Sequence, residues 1–209
     1  MKLPTLRTLL CHRDVHLALC CIKSVSRFSK EKFSLVIHED GSLTDHDFYL
    51  LHQAFPGVRF ISRKYADSHM DDILAKYPNT RAFRQGSVWG LKLLDVVLLE
   101  PGICFYLDSD IAFFRPFKDL FVEKNIKNRF IFLKDTVWHS YSVRPWHLLD
   151  QRKLTLSAGI NTGLTFCDRN VFDLDFVEWF LSHSDWRVIP AWTEPTCWAA
   201  LASRVNSLA

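Results

Sequence analysis

Short apolar runs alternate with helix-patterned segments along this chain from its first residues, and the runs are continuous rather than every-other-residue. A strand that is apolar on both faces must be covered on both faces. The alternation therefore predicts a mostly parallel sheet between two helical layers. Residues 6–11, 33–38, 58–62, 103–107, 130–133 and 159–166 read as strands. The first helix is expected over 15–26, where Val15, Leu19, Ile22 and Val25 recur at helical spacing. A second starts from an N-cap at Thr44 and carries Phe48, Leu51 and Phe55. Further helices are expected over 71–76 (stopped by Pro78), 83–99, 172–181 and 196–205. There is no internal repeat and no linker, and 209 residues at roughly 150 per domain predict one domain.

Charge and cysteine usage narrow the function classes. Twenty-six basic against 23 acidic residues leave a net charge of +3, too little to argue for nucleic acid as a partner. No apolar run reaches the roughly 18 residues that span a bilayer. The early stretch from Val15 to Ile22 follows His12, Arg13, Asp14 and His16, which is not the order of a signal peptide. The six cysteines include no C-x-x-C pair, and no N-x-S/T acceptor is present, so a reducing cytoplasm is expected. The nine histidines lack paired metal-site spacing; His12, His38 and His139 could each touch a ligand, and each reads first as ordinary. Neither a Walker A loop, a G-x-S-x-G nor a G-x-G-x-x-G occurs.

In an open α/β sheet, ligands bind beyond the carboxyl ends of the strands, so strand-terminal polar residues are the candidates. Asp108-Ser109-Asp110 follows the apolar run Ile103-Cys104-Phe105-Tyr106-Leu107. Two neighbouring carboxylates in a partly dry cleft call for a cation, and oxygen ligands suit Mg²⁺ or Mn²⁺. Glu39-Asp40-Gly41-Ser42 ends the second strand; Asp40 is placed to meet a ribose or base, and an Asp-Gly turn serving only geometry is at least as good a reading. Asn161-Thr162-Gly163 opens a later strand, with an amide suited to sugar hydroxyls and small neighbours that allow close approach.

The aromatic strand before Asp108-Ser109-Asp110 and the run Ile111-Ala112-Phe113-Phe114-Arg115-Pro116 after it resemble the D-x-D segment of GT-A glycosyltransferases, most nearly the glycogenin-like (family 8-type) group. Asp40-Gly41-Ser42 resembles the D-D-G-S element of GT-A enzymes, and Asn161-Thr162-Gly163 the N-[AST]-G element beside the donor sugar. The resemblance implies a GT-A, Rossmann-like three-layer sandwich and transfer of a sugar from a UDP- or GDP-sugar. Asp108 and Asp110 would then hold Mn²⁺ or Mg²⁺, Asp40 would meet the nucleoside and Asn161 the sugar. Lys92, in a Lys92-Leu93-Leu94-Asp95 run, would meet the diphosphate, as would Arg84 or Arg81. Glu194 stands where related transferases carry an acid followed by Gln, but Pro195 replaces the Gln. Glu194 is then a general base, a sugar ligand, or an acid that a helix N-terminus favours.

The expectation is a metal-dependent glycosyltransferase; acceptor and stereochemistry stay open. Two alternatives remain: a non-catalytic sugar- or nucleotide-binding module of the same fold, and a haloacid-dehalogenase-type phosphatase. The phosphatase fits less well, because that family puts its D-x-D on the first strand. Glycogenin-like enzymes add a metal-binding His beyond the last core helix. A chain ending at Ala209 is expected either to lack that segment or to complete its metal site with water and diphosphate alone.

Overall fold

The computed structural model describes residues 3–136, 141–142 and 154–205, so the expectation for His139 lies outside the described residues. In chain order the elements are β1 (Thr5–Leu10), α1 (Val15–Phe28), β2 (Ser34–Glu39), α2 (Asp45–Ala54), β3 (Arg59–Ile61), α3 (Arg63–Ile73), α4 (Pro78–Gly86), α5 (Val88–Leu98), β4 (Ile103–Leu107), β5 (Phe130–Lys134), β6 (Ile160–Asp168), α6 (Leu174–Ser182) and α7 (Pro190–Ala202). The strands form one sheet in the order β3-β2-β1-β4-β6-β5. β1, β2, β3 and β4 run parallel, and β6 runs antiparallel to both β4 and β5.

Both sheet faces are apolar and both are covered. Leu6, Ile37, Phe105 and Phe166 face α1, which brings Val15, Ala18, Ile22 and Val25 onto them. On the other face Tyr106, Phe130 and Phe132 meet α5, α6 and α7. Trp198 of α7 anchors that side, with its ring 5.4 Å from Phe130 and 5.7 Å from Phe132, both edge-on. Such tilted aromatic pairs add to the burial energy itself. Arg7 interrupts the apolar pattern of β1 and is nevertheless buried. Its Nη1 donates to the Val96 carbonyl at 2.6 Å, in the last turn of α5, where carbonyls lack partners within the helix.

The boundaries of the helices differ from the sequence pattern in three places. The expected helix over 71–76 is the tail of α3, which starts at Arg63 behind the N-cap Ser62; Pro78 opens α4 rather than stopping anything. The expected single helix over 83–99 is two helices. Ser87 is extended (φ −154°, ψ 137°), ending α4 and capping α5 through a bond from the Trp89 amide. The break lets the two helices cross closely at Gly90, where a Cβ would come within 2.5 Å of the Arg84 Cα. The last helix starts at Pro190, not Thr196, so Glu194 and Pro195 lie inside it.

The topology locates the cleft. From β1 the chain first builds outward through β2 and β3, then returns to add β4 on the other side of β1. A strand order that reverses in this way leaves a crevice at the carboxyl ends of the two strands flanking the reversal.

Candidate active site

A cleft of about 800 Å³ opens at that point. Its floor is the turn after β1, from Cys11 to Asp14. One wall carries Asp40 and Ser42 after β2, and the other carries Asp108, Ser109 and Asp110 after β4, with Val88, Trp89 and Lys92 contributed by α5.

The β2 wall is a turn held at several points. Gly41 has φ +98°, a conformation that favours glycine. Glu39 accepts from the Gly41 amide (2.7 Å) and from the Arg63 amide that opens α3 (2.5 Å). Asp40 Oδ1 accepts from the Ser42 amide at 2.9 Å and the Ser42 hydroxyl at 2.6 Å. Ser42 Oγ in turn accepts from the His12 amide at 2.9 Å, which clips this turn to the end of β1. Asp40 is thus both a turn residue and part of the cleft wall.

The β4 wall is built around Asp108. Its amide donates to the Gly163 carbonyl at 2.7 Å. Lys92 Nζ donates to Oδ2 at 2.7 Å, and the Tyr106 hydroxyl donates to Oδ1. The ammonium also sits over the rings of Trp89 (5.6 Å) and Tyr106 (5.4 Å). Burial disfavours the charged form of Lys92, but the charges of Glu194 and Asp108 outweigh it and raise its pKa. Burial and the Asp108 charge push the Tyr106 phenol well up, so it stays a donor. Asp110 is exposed and makes no hydrogen bond among the described residues.

Asn161, Thr162 and Gly163 are not among the described residues lining the cleft; Asn161 and Gly163 lie beside Asp108. Asn161 Oδ1 accepts from the Gly163 amide at 2.9 Å. A Cβ on Gly163 would lie 3.0 Å from Asn161 Oδ1 and 3.5 Å from Asp108 Oδ2, so the missing side chain keeps these two polar groups together. Thr162 points the other way and donates to Glu194 Oε2 at 2.9 Å. Glu194 is 1% exposed, does not line the cleft, and its Oε1 has no hydrogen-bond partner among the described residues. Burial is the main cause that pushes its carboxyl up to about 7; Lys92 opposes the shift and Asp108 adds to it. Lys92 thus pairs directly with the part-exposed Asp108, while the buried Glu194 acts on both through its charge.

Arg84 and Arg81 are not among the residues lining the cleft. The Arg84 guanidinium is buried, bidentate to Asp95 at 2.6 and 2.8 Å, and 2.8 Å from Asp67. That network joins α3, α4 and α5 and also engages Asp95. His38 is buried in β2 with neither ring nitrogen partnered among the described residues; burial, then Arg7 and Arg59, bring its pKa down to about 3, so the ring is neutral. His12, by contrast, stands in the cleft, with Nδ1 2.7 Å from Asp47 Oδ2. The sequence signal for that contact was Thr44-x-x-Asp47: the two residues form a capping box, which turns the Asp47 carboxylate back toward the turn before α2.

The cleft's donor chemistry fits a hard divalent ion. Two carboxylates and a hydroxyl line one wall, and a carboxylate has about four lone-pair sites, so Asp108 retains acceptor capacity beside Lys92 and Tyr106. No group of three or more His, Cys, Asp or Glu side chains converges among the described residues. Any ion held here would draw its remaining ligands from water or a substrate.

No protein-family model matches this sequence, and no curated protein matches it either. Solved structures match at the level of fold. The mannosyltransferase Ktr4p from S. cerevisiae has a TM-score of 0.59 at 12% identity, over 95% of this chain and 65% of that one. This chain therefore spans just under two thirds of that protein's length. Core-mannan synthase A (CmsA/Ktr4) from Aspergillus fumigatus, in its Mn/GDP form, matches with a TM-score of 0.59 at 9% identity, over 94% of this chain and 68% of that one. Mouse xyloside xylosyltransferase 1, in its apo form, reaches 0.61 at 10% identity, over 98% of this chain and 82% of that one. The likeness shows a shared fold, the GT-A type expected above.

Proposed function

We propose that this chain transfers a sugar from a nucleotide-diphosphate sugar to an acceptor, with a divalent cation at Asp108 and Asp110. The observation that carries the proposal is the meeting of Asp108, Asp110 and Asp40 in one cleft, at the reversal point of a sheet whose fold is shared with nucleotide-sugar transferases. The charge of the cleft supports the cation. Among the described residues its lining holds four carboxylates (Asp14, Asp40, Asp108, Asp110) but only two permanently cationic side chains, Arg13 and Lys92. A diphosphate entering that field without a metal meets net repulsion.

When bound, the cation supplies Lewis-acid stabilisation of the charge that develops on the leaving nucleotide. The chain's own residues do the rest. Asp110 offers the exposed carboxylate. Lys92 and Tyr106 fix the Asp108 carboxylate in one orientation. Glu194, where ionised, adds from behind to the charge of Asp108 that keeps Lys92 protonated. Asn161, next to Asp108 across Gly163, would present its amide to the donor sugar, and Asp40 would contact the nucleoside.

The test is turnover. The protein is incubated with Mn²⁺ and a panel of UDP- and GDP-sugars, and nucleotide release is followed. Asp110→Ala is the cleaner of the two acid variants, because Asp108→Ala also strands a buried Lys92. Release that Asp110→Ala abolishes supports the transferase. Binding without turnover under any condition moves the reading to the non-catalytic module. Neither binding nor turnover ends the proposal.

A further inference from the structure

We infer that the His12–Asp47 pair recognises the nucleoside of the donor, with His12 Nε2 accepting a hydrogen bond from a ribose hydroxyl or a base N–H. The inference rests on the nucleotide-sugar reading of this cleft and adds a residue to it that no sequence motif carried. His12 follows β1, the middle of the three strands whose ends build the cleft. Its side chain is 60% exposed, whereas that of Asp47 is 5% exposed.

The tautomer follows from the hydrogen bonds. Asp47 Oδ2 accepts from the Thr44 amide at 2.8 Å and from the Thr44 hydroxyl at 2.7 Å, and lies 2.7 Å from His12 Nδ1. An ionised carboxylate only accepts. Burial pushes the Asp47 carboxyl up, but the Thr44 amide and His12 outweigh it and hold it at about 2. Nδ1 therefore carries a hydrogen, and in the neutral ring Nε2 is an acceptor.

The surroundings decide what that acceptor meets. The His12 amide is tied through Ser42 to Asp40, whose carboxylate lines the adjoining wall. Two acceptors on adjacent strand ends suit a partner rich in N–H and O–H donors and repel phosphate. The diphosphate belongs on the other side, by Asp108 and Asp110. A ribose diol carries such donors, as does the N–H edge of guanine, whereas uracil offers a single ring N–H.

The experiment is calorimetric binding with Mn²⁺ present, to wild type and His12→Phe. The ligands are GDP, UDP, IDP, the 2′- and 3′-deoxy analogues, and pyrophosphate. His12→Phe keeps the ring and removes the acceptor. It is expected to weaken the nucleotide about three- to tenfold and to leave pyrophosphate unchanged. The loss should vanish for the analogue that lacks the donating group, which identifies that group. The thermal midpoint of the variant shows that it is folded, and ¹⁵N imidazole spectra of the free protein report the His12 tautomer without any ligand. An equal loss for pyrophosphate, an unchanged nucleotide affinity, or hydrogen on Nε2 instead of Nδ1 each overturns the inference. If wild type binds neither GDP nor UDP, the donor reading falls and this one falls with it. If wild type binds and His12→Phe binds equally well, this one falls alone.

Discussion

Glu194 shows most plainly what a side chain's surroundings can do to its role. Its position in the sequence suggested an acid at a helix entrance, facing the sugar. In the fold it is inside α7, sealed from water, bonded to Thr162 and facing Lys92. With its carboxyl raised from 4.5 to about 7, the folded chain holds a proton that the unfolded chain releases. Stability from this group is therefore full below about pH 4.5 and is lost as pH rises toward 7. Glu194→Gln removes the titration, so its stability relative to wild type should grow by about 3 kcal/mol between pH 4.5 and 8. Denaturant unfolding across that range measures it, and a pH-independent difference would mean that Glu194 ionises normally. Lys92→Met tests the same group of charges. It leaves the part-exposed Asp108 without its ion pair, so a loss on the order of 1–3 kcal/mol is expected. A fall in urea midpoint worth less than 1 kcal/mol would contradict the buried pairing. Neither environment was legible in the sequence, because Lys92, Asp108 and Glu194 are brought together by three different elements. Asp108 and Asp110 were legible, because a carboxylate pair straight after a buried strand is a local pattern.

Among the elements, α4 and α5 mark the limit of periodicity. Leu93, Val96 and Val97 announced a helix, but the pattern ran through Ser87 without a visible stop. The break at Ser87 goes with the crossing at Gly90, whose absent side chain is what lets α4 lie against α5. Gly90→Ala would push a Cβ to 2.6 Å from the Phe83 carbonyl oxygen and 2.5 Å from the Arg84 Cα, both backbone atoms with little freedom to move. The expected cost is about 3 kcal/mol or more. Gly102→Ala is the control: nothing lies within 4 Å of its would-be Cβ, and only its φ of +83° is strained, so it should cost about 1 kcal/mol. Equal thermal shifts for the two would refute the close crossing. Arg84 belongs to this crossing as well. Arg84→Met should lower stability by several kcal/mol by leaving Asp95 buried and unpaired. Nucleotide affinity of the folded fraction should stay unchanged; a selective loss of diphosphate binding would return Arg84 to the cleft.

For the molecule as a whole, electrostatics make the sharpest prediction. A cleft with more carboxylates than cations should bind a nucleoside diphosphate weakly in EDTA and at least tenfold more tightly with Mn²⁺, a difference of about 1.4 kcal/mol or more. Asp110→Asn should remove most of that metal dependence while leaving the thermal midpoint nearly unchanged, because Asp110 is exposed and holds nothing in place. Calorimetry with and without metal decides it, and metal-independent affinity would count against a cation at this site. The layered α/β architecture was written into the sequence alone. Apolar runs, their lengths and the polar residues that end them are local, and burial on both faces leaves few other folds open. The strand order, the antiparallel β6, the withdrawal of Glu194 and Arg84 from the cleft and the entry of His12 into it came only from tertiary structure. These depend on which element lies beside which, and a charge or an imidazole takes its role from neighbours that the chain supplies tens of residues away.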